Sequence, residues 1–364
     1  IPVMCYALGN LLCSSLKEIV VVGSTEVQRV LELFLNTVDT RGKTIQFVGE
    51  DDQNLNLLHT LSLGRNKLSI EENELILFQP GDLPFLYDLE KVLSFKGNKS
   101  HNIILWLNSR QNMFPEFNEK PGSEFVKRNY HYRILNDHRG DLHELKEPNL
   151  YPINFERMDP VIIDYLHSSR KDGQIIHAGI KMALKNPVRF FKALPYLVDH
   201  AFTFRSHVKK IFPEDKYQFG MSRRNFHKSI SNLLNIPITT NLHDDPSFVS
   251  DVDALEDWED FESLTHFASN QGEEGGLEKI HPFGKELMKF REKGMPFLRK
   301  EIPMYRNFPS YLNHIYQTLE MDYEPFDSVG NYVSPNANLP EVEQAYRWYK
   351  QKCKLLNSTP DEAP

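Results

Sequence analysis

Two groups of carboxylates stand where a polyanion and a cation could meet. The first is Asp82, in "LILFQPGDLPF". An apolar run stops at Pro80-Gly81, and the acid follows at once. In open α/β sheets, ligands sit beyond the carboxyl ends of the strands, so a strand ending here would deliver Asp82 to such an edge. Gly and Asp also favour plain turns, so a turn alone would explain the same letters. The second group is "SDVDALEDWED", Ser250–Asp260. Asp251 and Asp253 precede a helical pattern and share a side if their backbone is extended. Asp257 and Asp260 lie one helical turn apart, and with Glu256 and Glu259 they read as a solvated acidic face at a helix start. Two carboxylates from different strand ends suit Mg²⁺, which takes one or two carboxylates, several waters and phosphate oxygens. An EF-hand does not fit, because no Gly holds the sixth position and the Glu spacing is wrong.

The elements that must position these acids are legible as period changes. "KEIVVVG" is a β-branched run ending at Gly23. "STEVQRVLELFLNT" comes next, with Val27, Val30, Leu31, Phe34 and Leu35 at helical spacing and Ser24 or Thr25 as cap. "KTIQFVG", "ELILFQPGD" and "HNIILWLN" read as further strands, separated by helical patterns. Apolar strands alternating with amphipathic helices predict βαβ units and a mainly parallel sheet covered on both faces. The expected fold class is therefore α/β, three layers, with a Rossmann-like sheet. After Asn108 the pattern changes to two strands around a turn at Asn136–Gly140 and a third short piece, which is antiparallel material. Residues 160–234 read as mostly helical, with Pro187 placed for a helix start.

These residues carry a resemblance. "ILFQPGDLPF" resembles the metal-binding strand end of sugar-phosphate nucleotidyltransferases and the related molybdenum-cofactor nucleotidyltransferases. "DPSFVSDVDALEDWEDF" is similar to the closing motif of that superfamily, although Ala254-Leu255 replace its usual Thr-Pro. "ELKEPNLYPINF" resembles its acceptor-phosphate segment, and "IPVMCYALGNLL" resembles the stretch just after its first loop. The resemblance covers residues 1–264 and implies the nucleotide-diphospho-sugar transferase fold, with residues 160–234 as a helical insertion. It implies nucleotidyl transfer from a nucleoside triphosphate to a phosphorylated acceptor, with a sugar phosphate as the default. Asp82 and Asp253 would hold Mg²⁺, with Asp251 as the alternative ligand. Lys146, Glu147 and Asn149 would meet the acceptor, and Gly81 would let phosphate approach the backbone. Gly64, Arg65 and Asn66, between a helix and a strand, would touch the base. The family's Gly-rich nucleotide loop is not in this sequence and is expected within about thirty residues upstream of Ile1, the length of one βα unit.

Other classes fall away on residue types. The fourteen His include no HxxxH pair, and Cys5, Cys13 and Cys353 are too scattered for a zinc cluster or a disulfide framework. No GxSxG nucleophile motif occurs. The net charge of −8 argues against a broad nucleic-acid footprint. No run approaches the roughly 20 apolar residues of a spanning helix, so no membrane partner is expected, and the cysteine usage suits a reducing, cytoplasmic setting. Lys181, Lys185, Arg189, Arg205, Arg223 and Arg224 read as solvated helix faces, and His177 as a half-buried, satisfied histidine. Residues 275–364 read as an accessory element that covers the acceptor side or forms a homo-oligomer contact. Its aromatics (Tyr305, Phe308, Tyr311, Tyr316, Tyr346 and Trp348) need a surface. Two rivals stay open: a nucleotide-sugar-dependent glycosyltransferase, whose Asp-x-Asp "DVD" matches, and an inactive nucleotidyltransferase-like scaffold.

Overall fold

A computed structural model describes residues 1–50, 57–71, 74–84, 88–99, 102–109, 133–136, 142–146, 149–154, 187–188, 190–192, 194–195, 221–243, 247, 251–252, 255–270, 276–318, 326, 332–333 and 340–357. The chain is α/β and divides into two compact units. One comprises residues 1–49, 81–89 and 250–364; the other comprises 50–80 and 90–249.

The first unit opens with α1 (Val3–Leu12), β1 (Glu18–Gly23), α2 (Thr25–Thr37) and β2 (Thr44–Gly49). β1 and β2 pair in parallel from Glu18↔Thr44 to Gly23↔Gly49, which requires the α2 crossover between them. Glycine at 23 is a packing requirement, since a Cβ there would meet Val27 Cγ1 at 2.9 Å. α2 buries Val30, Leu31 and Phe34. Ser24 takes the N-cap position, but its hydroxyl donates to the Glu26 carboxylate at 2.7 Å and caps no backbone N–H.

The second unit holds α3 (Leu57–Arg65), β3 (Ile76–Phe78), α4 (Leu89–Leu93, whose first residue belongs to the first unit), β4 (Ile103–Ser109), β5 (Arg133–Asn136), β6 (Leu142–Lys146), β7 (Tyr151–Ile153), β8 (Met221–Ser222), α5 (Arg223–Leu234) and β9 (Ile238–His243). The strand order is β3-β7-β4-β6-β5-β8, with β9 also on β4. The expected hairpin is present: β5 and β6 pair antiparallel, from Arg133↔Leu145 to Asn136↔Leu142. The expectation of a mainly parallel sheet needs correction. β4·β9 and β5·β8 are parallel, but β3·β7, β4·β7 and β4·β6 are antiparallel. The cause is the hairpin and the short strand after it, which enter the sheet beside β3 and β4. Pro152 at the middle of β7 has no N–H to give, which keeps that ladder short. α5 covers the sheet with Phe226, Ile230, Leu233 and Leu234 against Ile103, Leu107, Leu145, Ile153 and Ile238. Most of the 160–234 insertion, with His177, Lys181, Lys185, Arg189 and Arg205, lies outside the described residues.

The first unit continues with α6 (Leu255–Asn270), α7 (Gly284–Lys293), α8 (Met295–Glu301), α9 (Pro303–Thr318) and α10 (Pro340–Asn357). α7 and α8 pack on α2, and α10 packs on α6. Phe34 stacks edge-on with Phe290 at 5.2 Å, Tyr6 with Phe261 at 4.8 Å, and Phe267 with Tyr346 at 5.3 Å. Tyr316 and Tyr346 are buried, as expected of aromatics that need a surface. Tyr311 is the exception, 59% exposed. The side chain of Trp348 is outside the described residues.

His281 sits inside this aromatic core. Its Nδ1 accepts the Phe283 N–H at 3.0 Å, and its ring lies edge-on to Tyr6 at 6.2 Å. Burial, with Arg41 adding to it, pushes its pKa down to about 3. The folded chain therefore carries a neutral imidazole, while the unfolded chain takes up a proton below its ordinary value of 6.5. The unfolded state binds more protons in that window, so stability falls as pH drops from 6.5 towards 3, by up to about 1.4 kcal/mol per pH unit. Denaturant unfolding across that window should show this slope in the wild type and a slope shallower by one proton in His281→Asn. Equal slopes would mean that His281 is not held neutral.

Candidate functional site

The two acidic stations meet in the first unit. After β3 the chain passes Gln79 and Pro80 and turns at Gly81-Asp82, and the next residue, Leu83, is fully buried. The Val252 N–H donates to the Asp82 C=O at 3.0 Å. This backbone bond ties the turn to the segment that carries Asp251, directly ahead of α6. Asp82 and Asp251 are both half-buried, and Asp82 Oδ1 is shielded from solvent. Buried Leu83 and Leu89 anchor one side, and Phe261 and Leu264 of α6 anchor the other. Asp253 lies outside the described residues, one position beyond Val252.

Gly81 is exposed at the turn. A Cβ there would find only Met4 Cβ, at an ordinary 3.6 Å. Its φ is not among the positive values in the described backbone. Nothing in the described protein therefore demands glycine at 81. Met4, in the first turn of α1, was not singled out in the sequence; its nearness comes from the packing of α1 and carries no motif.

The remaining predicted residues belong to the second unit. Lys146 ends β6 with its backbone opposite Asn108 of β4; its side chain, and Glu147 entirely, are outside the described residues. Asn149 is half-buried just before β7, with Nδ2 buried and making no hydrogen bond among the described residues. Gly64 and Arg65 do not lie between helix and strand as expected: they form the last turn of α3, and only Asn66 comes after it. Arg65 reaches the Ile70 carbonyl at 3.5 Å, closing the loop. Arg224 is exposed as expected, but Arg223 is not a solvated residue. Its Nε donates to Thr240 Oγ1 at 2.7 Å, and His227 Nε2 meets the same hydroxyl at 2.6 Å. Burial lowers the Arg223 pKa. This clamp fastens α5 to β9, the strand that leads towards the second acidic station. The signal was present in the i, i+4 pair Arg223/His227 and in Thr240 at an inward strand position between buried Ile238 and Leu242's exposed face. The acidic face of α6 also differs from expectation, since Asp257, Glu259 and Asp260 are half-buried.

Chemically, the paired segments offer carboxylate oxygens, the donor type that hard cations take. Among the described residues no group of three His, Cys, Asp or Glu converges, and Mg²⁺ asks for no more than one or two carboxylates beside waters and phosphate. Thiol chemistry is disfavoured at Cys5 and Cys13, where burial pushes the thiols up to about 12 and about 11. Among the described residues no helix is long and apolar enough to cross a membrane.

No protein-family model matches the chain, and no curated protein matches it. Among solved structures it is similar to a hypothetical transferase from Thermus thermophilus, at 14% identity and a TM-score of 0.33, over 64% of this chain and 85% of that one. At that TM-score the likeness fixes neither fold nor activity.

The bond between the stations is directly testable. Val252→Pro removes the donor and leaves the Asp82 carbonyl unsatisfied, whereas Val252→Ala keeps it. Urea unfolding should show the Pro variant less stable than the Ala variant by about 1–3 kcal/mol. Equal stabilities would mean that the two segments are not held together by this bond.

Proposed function

We propose that the chain is a Mg²⁺-dependent nucleotidyltransferase of the nucleotide-diphospho-sugar transferase type, three-layered, that joins a nucleoside triphosphate to a phosphorylated acceptor, a sugar phosphate by default. The observation that carries this reading is the Val252–Asp82 backbone bond, which draws together two acid-bearing segments that lie far apart in the sequence. Asp82 and Asp253 hold the cation, with Asp251 beside them. Mg²⁺, when bound, neutralises charge on the triphosphate. A phosphate oxygen of the acceptor attacks the α-phosphorus. A new P–O bond forms, the α–β bridge breaks, and pyrophosphate leaves with the electron pair. The attacking oxygen is already anionic, so no residue has to act as general base. The work left to the chain is alignment and charge placement. Lys146 pairs with the acceptor phosphate, Asn149 and Glu147 orient its hydroxyls, and Gly64, Arg65 and Asn66 meet the base. The open surroundings of Gly81 leave room for a phosphate against the backbone.

Pyrophosphate release by the full-length protein, with Mg²⁺, each nucleoside triphosphate and a panel of sugar phosphates, is the test. Asp82→Asn and Asp253→Asn should each lose about a hundredfold in rate, roughly 3 kcal/mol of transition-state stabilisation. The double variant should be little worse than either single one, because both act on one ion. Gly81→Ala should lower the rate without lowering stability. If Asp82→Asn turns over as fast as the wild type, Asp82 is a turn residue and the proposed centre is wrong.

A further inference from the structure

The outward face of α7 and α8 has an unusual composition. The two helices run on from one another, because Gly294 between them keeps helical dihedrals, φ −85° and ψ −41°. Its N–H donates to the Phe290 carbonyl at 2.7 Å, and its carbonyl accepts from the Leu298 N–H at 2.9 Å. Residues three and four apart therefore share a face across the junction. Lys285, Lys289, Lys293 and Lys300 fall on one such face, with Phe297 and one acid, Glu292, among them, and all six are exposed. Phe297 is 59% exposed, and Met304, at the start of α9, is 57% exposed. The opposite face is fixed inward: Leu287, Phe290 and Leu298 are fully buried, and Phe290 stacks on Phe34. The stripe is thus held outward by the core. Residues 285–306 carry seven Lys and Arg against three Glu, in a chain whose net charge is −8. One of those acids, Glu286, is turned towards Arg41 at 3.8 Å.

We propose that this face docks on the surface of an anionic lipid bilayer, with the lysines against the headgroups and Phe297 in the acyl boundary. Lysine stems lie along apolar surface while their ammonium heads stay in the polar layer, and an aromatic among them supplies burial. A second copy meeting this face by two-fold symmetry would set lysine stripe against lysine stripe. A nucleic-acid duplex would use the lysines, but it stacks its bases inside and offers Phe297 no apolar layer. The contact is peripheral, so it requires no spanning helix. It revises the sequence expectation of no membrane partner, and it is independent of the proposed chemistry.

The test is flotation of the full chain with phosphatidylcholine vesicles, with and without phosphatidylserine. The chain should float with the anionic vesicles, remain behind with the neutral ones, and be released by salt. Lys289→Ala/Lys293→Ala should weaken partitioning about thirtyfold, and Phe297→Ser about tenfold. Each altered side chain is exposed, and circular dichroism checks that the fold is kept. In Phe297→Trp, the new indole should be quenched by brominated acyl chains. Failure of the wild type to float with anionic vesicles overturns the proposal, as does undiminished partitioning of Phe297→Ser. An unquenched indole in Phe297→Trp overturns it as well.

Discussion

One backbone hydrogen bond, from the Val252 N–H to the Asp82 carbonyl, joins the two acid-bearing segments of the first unit. Without it, two acid-bearing turns would each be anchored only by their own side of the core. With it, Asp82 and the segment holding Asp251 share one local frame. The frame is stiffened where it can be: Leu83 is fully buried behind Asp82, and α6 starts three residues beyond Val252, with Phe261 and Leu264 in the core. A backbone bond is well suited to this task. It fixes the segments through main-chain atoms, which every residue has.

The aromatic core behind that frame reaches α1, α2, α6 and α7 together. Phe34 touches both Phe283 and Phe290, and Tyr6 touches both Phe261 and His281. Close approach is made possible at Gly9, where a Cβ would come within 3.0 Å of His281 Cε1. The same packing that holds α6 in place also holds the lysine stripe of α7 and α8 outward. A neutral His281 is the condition for this arrangement, because a charged imidazole among rings would have to be desolvated without a counter-ion.

Local pattern was a good guide to local structure. The β-branched run ending at Gly23, the helical spacing of Val30, Leu31 and Phe34, and the antiparallel hairpin on either side of 137–141 are all where the sequence put them. Pairing partners were less legible. Ile76–Phe78 reads as one more parallel strand, yet it pairs antiparallel with Tyr151–Ile153, because nothing in a three-residue apolar run states which neighbour it will meet. Arg223 looked like a surface residue because its partner, Thr240, is distant in sequence and has no charge. The lysine stripe was hidden for a different reason: a net charge averaged over the whole chain conceals a local excess of the opposite sign. In the site, Asp82 reads as an acid beyond a strand and Asp251 as an acid ahead of a helix; that a hydrogen bond joins their segments is not legible, since backbone pairing leaves no mark on residue types.

In the proposed centre, one cation is shared by both stations. Mn²⁺ binding to the full chain, measured by electron paramagnetic resonance as a stand-in for Mg²⁺, tests this without any assumption about substrate. One ion per chain is predicted for the wild type. Asp82→Asn and Asp253→Asn should each weaken that same ion by about tenfold or more. Unaltered Mn²⁺ binding in Asp82→Asn would contradict it, as would two separate ions that each respond to only one of the substitutions.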